Sequence, residues 1–125
     1  MKTYKLREIL NRHGSSCATR ICTSWSTMFE AAASAEVFDD LELVAEYSPY
    51  DLMQLENITR ACELHNTGSL IKVDFQNRGH VAQRAIASGF LGALFADHRN
   101  ADAVAESVRM LIPETLKERN PWLSE

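Results

Sequence analysis

Leu41-Glu42-Leu43-Val44-Ala45, then Glu46-Tyr47-Ser48-Pro49-Tyr50, then Asp51 with the run from Leu52 to His65, then Ser69-Leu70-Ile71-Lys72-Val73: this stretch of the 125-residue chain decides the fold. Leu41 to Ala45 is apolar except for Glu42, as in a strand covered on both faces. Glu46 to Tyr50 carries the turn residues of a loop, and Asp51 is placed to cap a helix starting at Leu52. Leu52, Leu55, Ile58 and Cys62 recur at helical spacing, and Asn66-Thr67-Gly68 closes that helix. Ser69 to Val73 is again a short apolar strand. A strand, a helix and a second strand in this order form a unit whose strands run parallel, joined by a right-handed crossover.

The same unit recurs on either side. Upstream, residues 3–12 hold Tyr4, Leu6, Ile9 and Leu10 among charges, which predicts a short amphipathic helix with Gly14 at the left-handed cap position. Ala18 to Ser24 reads as the first strand, and Thr27-Met28-Phe29-Glu30 matches a capping box that opens an alanine-rich helix to about Glu36. Downstream, Asp74 to Asn77 is loop. Val81, Ala82, Ala85 and Ile86 give the apolar face of a helix that Gly89 stops. Leu91 to Ala96 is a fourth strand, with the loop Asp97-His98-Arg99 after it. Asn100 caps a last helix with Ala101, Val104, Val108 and Leu111 turned inward, and Pro113 ends it.

Four strand-helix units are half of what a closed barrel of this kind requires, about eight units and 250 residues. The fold class expected is therefore α/β, a partial TIM barrel of four parallel strand-helix units. Residues 1–112 form the half barrel and residues 113–125 a loose C-terminal tail. A formal net charge of -4 and basic residues scattered without a stripe exclude a nucleic-acid binder. No apolar run approaches the roughly 18 residues of a membrane span, and the charged N-terminus is unlike a signal peptide. Three cysteines, Cys17, Cys22 and Cys62, at irregular spacing form neither a disulfide framework nor a zinc pattern; they read as buried free thiols in the reducing compartment of a cytoplasmic protein.

Ligands of parallel α/β folds bind at the carboxyl ends of the strands. That rule selects Ser24-Trp25, Glu46-Tyr47-Ser48, Lys72-Val73-Asp74 and Asp97-His98-Arg99. Glu46 and Lys72, at neighbouring strand ends, are placed to form an ion pair. Tyr47 reads as a half-buried packing residue or as a site group, and Trp25 as core, rim or pocket wall. Asp97 and His98 are the candidate metal ligands, or a solvated loop. His13, His65 and His80 fall on helix ends and faces. A Gly-rich phosphate loop and a nucleophile elbow are both missing from the sequence.

These segments resemble the N-terminal half of the metal-dependent pyruvate aldolases of the HpcH/HpaI type, over roughly residues 5–112. Glu46-Tyr47-Ser48-Pro49 is similar to the family's Glu-His-Gly-Pro turn after strand two. Leu55 to Ala61 resembles the helix after that turn. Ser69 to Val73 resembles the strand that ends in an arginine, and Ala82 to Phe90 with Gly92 to Ala96 resembles the next helix and strand. The resemblance implies cleavage of a 4-hydroxy-2-oxo acid to pyruvate and an aldehyde. It also implies a divalent metal, Mg²⁺ or Mn²⁺, as Lewis acid, held by residues of later strands. Glu46 matches the family. The proton-transfer histidine is replaced by Tyr47, its orienting aspartate by Val44 and the oxyanion-binding arginine by Lys72, which keeps the charge but not the fork. Tyr47 and Lys72 are thus the catalytic candidates, with Glu46 and Trp25 on the substrate side.

Three functions are expected from this reading. The first is the family's lyase chemistry on a small 2-oxo acid. The second is a non-catalytic module whose open sheet edges self-associate or dock on a partner chain that completes the barrel. The third is an open doubly wound domain that binds a small anion near Lys72 and the helix beginning near Asn77.

Overall fold

The computed structural model describes residues 5–112; the tail expected over 113–125 lies outside the described residues. Helix α1 (Lys5–Asn11) precedes four strand-helix units: β1 (Ala18–Ile21) with α2 (Ser26–Ser34), β2 (Asp40–Val44) with α3 (Leu52–Leu64), β3 (Gly68–Val73) with α4 (Arg78–Ser88), and β4 (Gly92–Phe95) with α5 (Ala101–Leu111). The strands form one sheet in the order β1-β2-β3-β4, every pair parallel. A sheet in sequential order with right-handed crossovers carries its helices on one side, which is the wall of a barrel rather than a doubly wound sheet.

Alternation along the strands divides the sheet into two faces. Leu41, Leu43, Ile71 and Val73 pack in one core with Phe29 and Ala33 of α2, Leu55, Ile58 and Cys62 of α3, and Val81, Ala82 and Ala85 of α4. The intervening residues face the other way. The register sets Arg20, Glu42, Leu70 and Gly92 side by side, and Val44, Lys72 and Leu94 in the next row toward the carboxyl ends. This is the face that lines the interior of a closed barrel. Glu42 is buried on it beside Arg20, at 3.4 Å, whereas Leu94 remains partly exposed.

Local chemistry explains most boundaries. Asp51 and Gln54 make a reciprocal capping box at the start of α3, each bond 2.8 Å. The Asn100 side chain accepts from the Ala103 amide at 2.9 Å to open α5. Gly89, at φ 111, ends α4 in the left-handed region and sits against Thr59 of α3.

Several expectations are corrected. The capping box at Thr27 and Glu30 does not form: α2 begins at Ser26, with Trp25 rather than Thr27 at its cap and no side-chain cap bond. His13, not Gly14, takes the left-handed conformation after α1 (φ 55). β1 ends at Ile21 rather than Ser24 because its neighbour, β2, pairs with it over four residues. Leu52, Ile86, Val104 and Val108 are exposed although their spacing placed them inward, and of the three thiols expected to be buried only Cys62 is, Cys17 and Cys22 lying exposed at the two ends of β1. For α5 the reason is which neighbour it has. It packs on α4 and buries Ser107, while Val104 and Val108 on the flanks of that contact stay exposed.

A candidate active site at the carboxyl ends of the strands

β2 and β3 end side by side, Val44 registered with Lys72. The chain continues from Val44 into a turn in which the Ala45 amide donates to the Lys72 carbonyl at 3.0 Å and the Tyr47 amide to the Val44 carbonyl at 3.3 Å. That turn aims Glu46 at the neighbouring strand end. Its Oε2 stands 2.5 Å from Lys72 Nζ, and both side chains are largely withdrawn from solvent. The carboxylate raises the Lys72 pKa above the ordinary lysine value, chiefly through this hydrogen bond. Lys72 is therefore a fixed, protonated cation at neutral pH.

Tyr47 lies beside the pair, its ring centroid 5.5 Å from Lys72 Nζ. It is 72% exposed, so the half-buried packing reading does not hold. Trp25 is at the same end of the sheet, at the start of α2, and is 60% exposed. Its loop is tied to the loop after β2: the buried Ser24 hydroxyl donates to the Pro49 carbonyl at 2.7 Å. Tyr50 packs against the core, and burial, with Asp74 nearby, pushes its phenol above the usual value.

Asp97 and His98 sit apart from this pair, in a second cleft of about 420 Å³ lined with Phe75 and Arg99. Among the described residues no group of three or more His, Cys, Asp or Glu side chains could hold a metal ion. The residues present thus do not make the metal centre that the aldolase resemblance implies. Asp74 also bears on the anion reading. Its Oδ2 accepts from the Asn77 amide at 3.1 Å and from Asn77 Nδ2 at 3.0 Å, placing a carboxylate at the start of α4 where the anion would sit.

Three groups escaped the sequence reading. Arg78 is buried at the start of α4, over the Phe75 ring at 4.5 Å and 2.8 Å from Glu106. Ser107 is buried and bonded to His98. Asp40 is a fully buried carboxyl at the opposite end of β2. Only Asp40 left a signal, an acid directly before an apolar strand. The other two depend on how α4 and α5 pack.

Comparison with solved structures bears on the fold. The chain superposes on the HpcH/HpaI aldolase from Desulfitobacterium hafniense DCB-2 with a TM-score of 0.79 at 19% identity, over 94% of this chain and 45% of that one. It superposes on a HpcH/HpaI aldolase/citrate lyase family protein from Burkholderia cenocepacia J2315 with a TM-score of 0.75 at 23% identity, over 86% and 42%. Against the citrate synthase SbnG the TM-score is 0.77 at 16% identity, over 97% and 52%. No family model and no curated protein matches the sequence. The chain has the fold of about half of these TIM-barrel proteins and spans about half their length.

Proposed function

We propose that the chain supplies the Glu46–Lys72 part of a carbon–carbon lyase site that cleaves a 4-hydroxy-2-oxo acid to pyruvate and an aldehyde. The observation that carries the reading is the 2.5 Å contact between Glu46 and Lys72 at adjacent carboxyl ends of the sheet. Cleavage next to a 2-oxo group leaves negative charge on the 2-oxygen, and a cation fixed before the reaction stabilises that charge without reorganising. Lys72 suits this role. Its paired, protonated amine is unsuited to attack the carbonyl as a Schiff-base nucleophile, which requires a neutral amine. Glu46 orients the ammonium, Tyr47 stands where a hydroxyl meets the substrate, and Trp25 is a wall of the pocket.

A Mg²⁺ or Mn²⁺ ion of such an enzyme would draw its ligands from strands beyond the four described. The remaining wall of the barrel would come from a second copy of this chain or from a partner chain, in the cytoplasm. An alternative, a module that associates without catalysing, is favoured by the exposure of Leu94, Val104 and Val108 on faces that a closed barrel covers.

The test is pyruvate release from a 4-hydroxy-2-oxo acid with Mg²⁺ or Mn²⁺. It is run with the chain alone and with the chain mixed with the C-terminal half of the D. hafniense aldolase. Turnover above the metal-only and C-terminal-half blanks in either form supports the lyase. Blank-level rates in both, with association of the two halves, leave the module.

A further inference from the structure

We infer that a second copy of this chain closes the barrel about a two-fold axis, β4 of each copy pairing with β1 of the other, a choice of partner that rests on the barrel-wall reading above. The two margins of the wall fit each other. β1 and β4 are the outer strands of the sheet, four residues each, and run parallel to the rest. A two-fold axis along the barrel keeps every strand parallel, and two sets of four strands make a closed barrel of this kind. β4 reads Gly-Ala-Leu-Phe, without the charge or proline that guards an open edge.

Barrel geometry fixes the register of the seam. The shear of such a barrel is about eight residues, so about four fall to each copy. The row Arg20, Glu42, Leu70, Gly92 therefore continues on the second copy about four residues from its Arg20. A shift toward the carboxyl end would set Gly92 against Ser24, beyond the end of β1 at Ile21. A shift toward the amino end sets Gly92 against Ser16, Leu94 against Ala18 and Phe95 against Thr19 of the second copy. Leu94 and Ala18 are exposed on the interior face of the single chain, and at this seam each covers the other. On the helix side Ala93 meets Cys17 of the second copy.

The helices agree with the strands. α2 packs on α3, α3 on α4 and α4 on α5, so the two end helices each keep one free flank. On α5, Glu106 pairs with Arg78 and Met110 lies against Gly79, both of α4. Val104 and Val108 are two residues from these, roughly 160° round the helix, and exposed. On α2, Ser26 and Glu30 line a groove shared with α3. Met28, two residues from each, is again roughly 160° away and exposed, with the partly buried Ala32 one turn on. Closure sets α5 of one copy beside α2 of the other, so both apolar flanks are covered and the series of helix contacts continues.

Closure also buries no net charge, because the interior takes in two Arg20–Glu42 pairs and two Glu46–Lys72 pairs. At the carboxyl ends the loop after β4 comes beside the loop after β1 of the second copy. Exposed Trp25 gains a neighbour across the seam, and both Glu46–Lys72 pairs open on one mouth. By mass action the dimer dissociates on dilution and competes with any other chain that completes the wall.

Sedimentation velocity of the full chain over a range of concentrations is expected to show monomer passing to dimer and nothing larger, since closure leaves no edge. A monomer at every concentration, or growth past the dimer, overturns the inference. Cross-linking reads the register, because paired strands place facing Cα atoms about 5 Å apart, within disulfide reach. Ala93→Cys in a Cys22→Ser chain, treated with copper phenanthroline and dioxygen as the electron acceptor, is expected to give a covalent dimer that Cys17→Ser abolishes. A covalent dimer that survives Cys17→Ser joins two β4 edges and overturns the inference. Val108→Asp, at an exposed position, serves if Ala93→Cys fails to fold. It is expected to raise the dimer dissociation constant about tenfold or more, and an unchanged constant overturns the inference. None of these readouts involves turnover. Blank-level pyruvate release by the cross-linked dimer would remove the lyase and leave closure standing, and turnover by a strictly monomeric chain with the aldolase half would do the reverse.

Discussion

The two ends of β2 carry two withdrawn carboxylates in opposite circumstances. Glu46, just past the carboxyl end, faces an ammonium at 2.5 Å. Asp40, at the amino end, is fully buried with one hydroxyl donor, Ser16 at 3.1 Å, and its Oδ1 lacks a hydrogen-bond partner among the described residues. The first arrangement holds a cation at a strand end where chemistry can use it. The second holds a carboxyl against the backbone at Gly68, where a β-carbon would run into Asp40 Oδ1. A parallel wall separates the two tasks by strand polarity, with packing and anchoring at the amino ends and function at the carboxyl ends.

Substitutions at the two ends should therefore differ in kind. Lys72→Met has the largest expected effect, about 10²- to 10³-fold in pyruvate release, with little change in melting temperature. Equal losses of rate and stability would show that the Glu46–Lys72 pair is an anchor like the amino end. Gly68→Ala should act the other way, costing about 1–3 kcal/mol in denaturant unfolding by forcing the Asp40 carboxylate aside. Asp40→Asn in the same chain should recover little of it, since the amide has the same size.

The pH dependence sharpens the contrast. Burial is the main cause that raises the Asp40 pKa above 3.8. The folded state thus binds this proton more tightly than the unfolded chain. Wild-type stability is favoured in acid and declines as pH rises from that value through the folded one. Asp40→Asn removes the decline, so its melting temperature relative to wild type should climb as pH rises above about 4. A flat difference would mean that Asp40 titrates normally. Asp39 next to it behaves oppositely. The Cys17 amide and Lys5 hold its carboxyl below the ordinary value, so its contribution is present at neutral pH and lost in acid. Lys5 is half-exposed, and Lys5→Ala should cost less than about 1 kcal/mol at pH 7, less still in high salt.

How much of this the sequence disclosed depends on the range of each signal. Strand order and direction were legible because Leu41 to Ala45 and Ser69 to Val73 are apolar runs flanked by loop residues, and Asp51 and Asn100 are caps read from adjacent positions. The Glu46–Lys72 contact was legible because parallel pairing of neighbouring strands brings successive carboxyl ends together. The false capping box at Thr27 shows the limit of a local motif when the chain enters the helix two residues earlier, from Trp25. Val104 and Val108 show another limit. Periodicity reports which face is apolar, and the neighbours decide which face is buried. Ser107 and Arg78 were illegible because their partners, His98 and Glu106, lie outside their own helices and are met only after α4 and α5 pack.

The central claim is that this sheet is part of a barrel wall whose outer strands, β1 and β4, accept further strands. Amide hydrogen exchange tests it most directly, on the chain alone and with the C-terminal half of the D. hafniense aldolase. Slowed exchange in both Ala18–Ile21 and Gly92–Phe95, with β2 and β3 unchanged, is the expected result. Unchanged exchange at both edges while the two halves associate would contradict the claim.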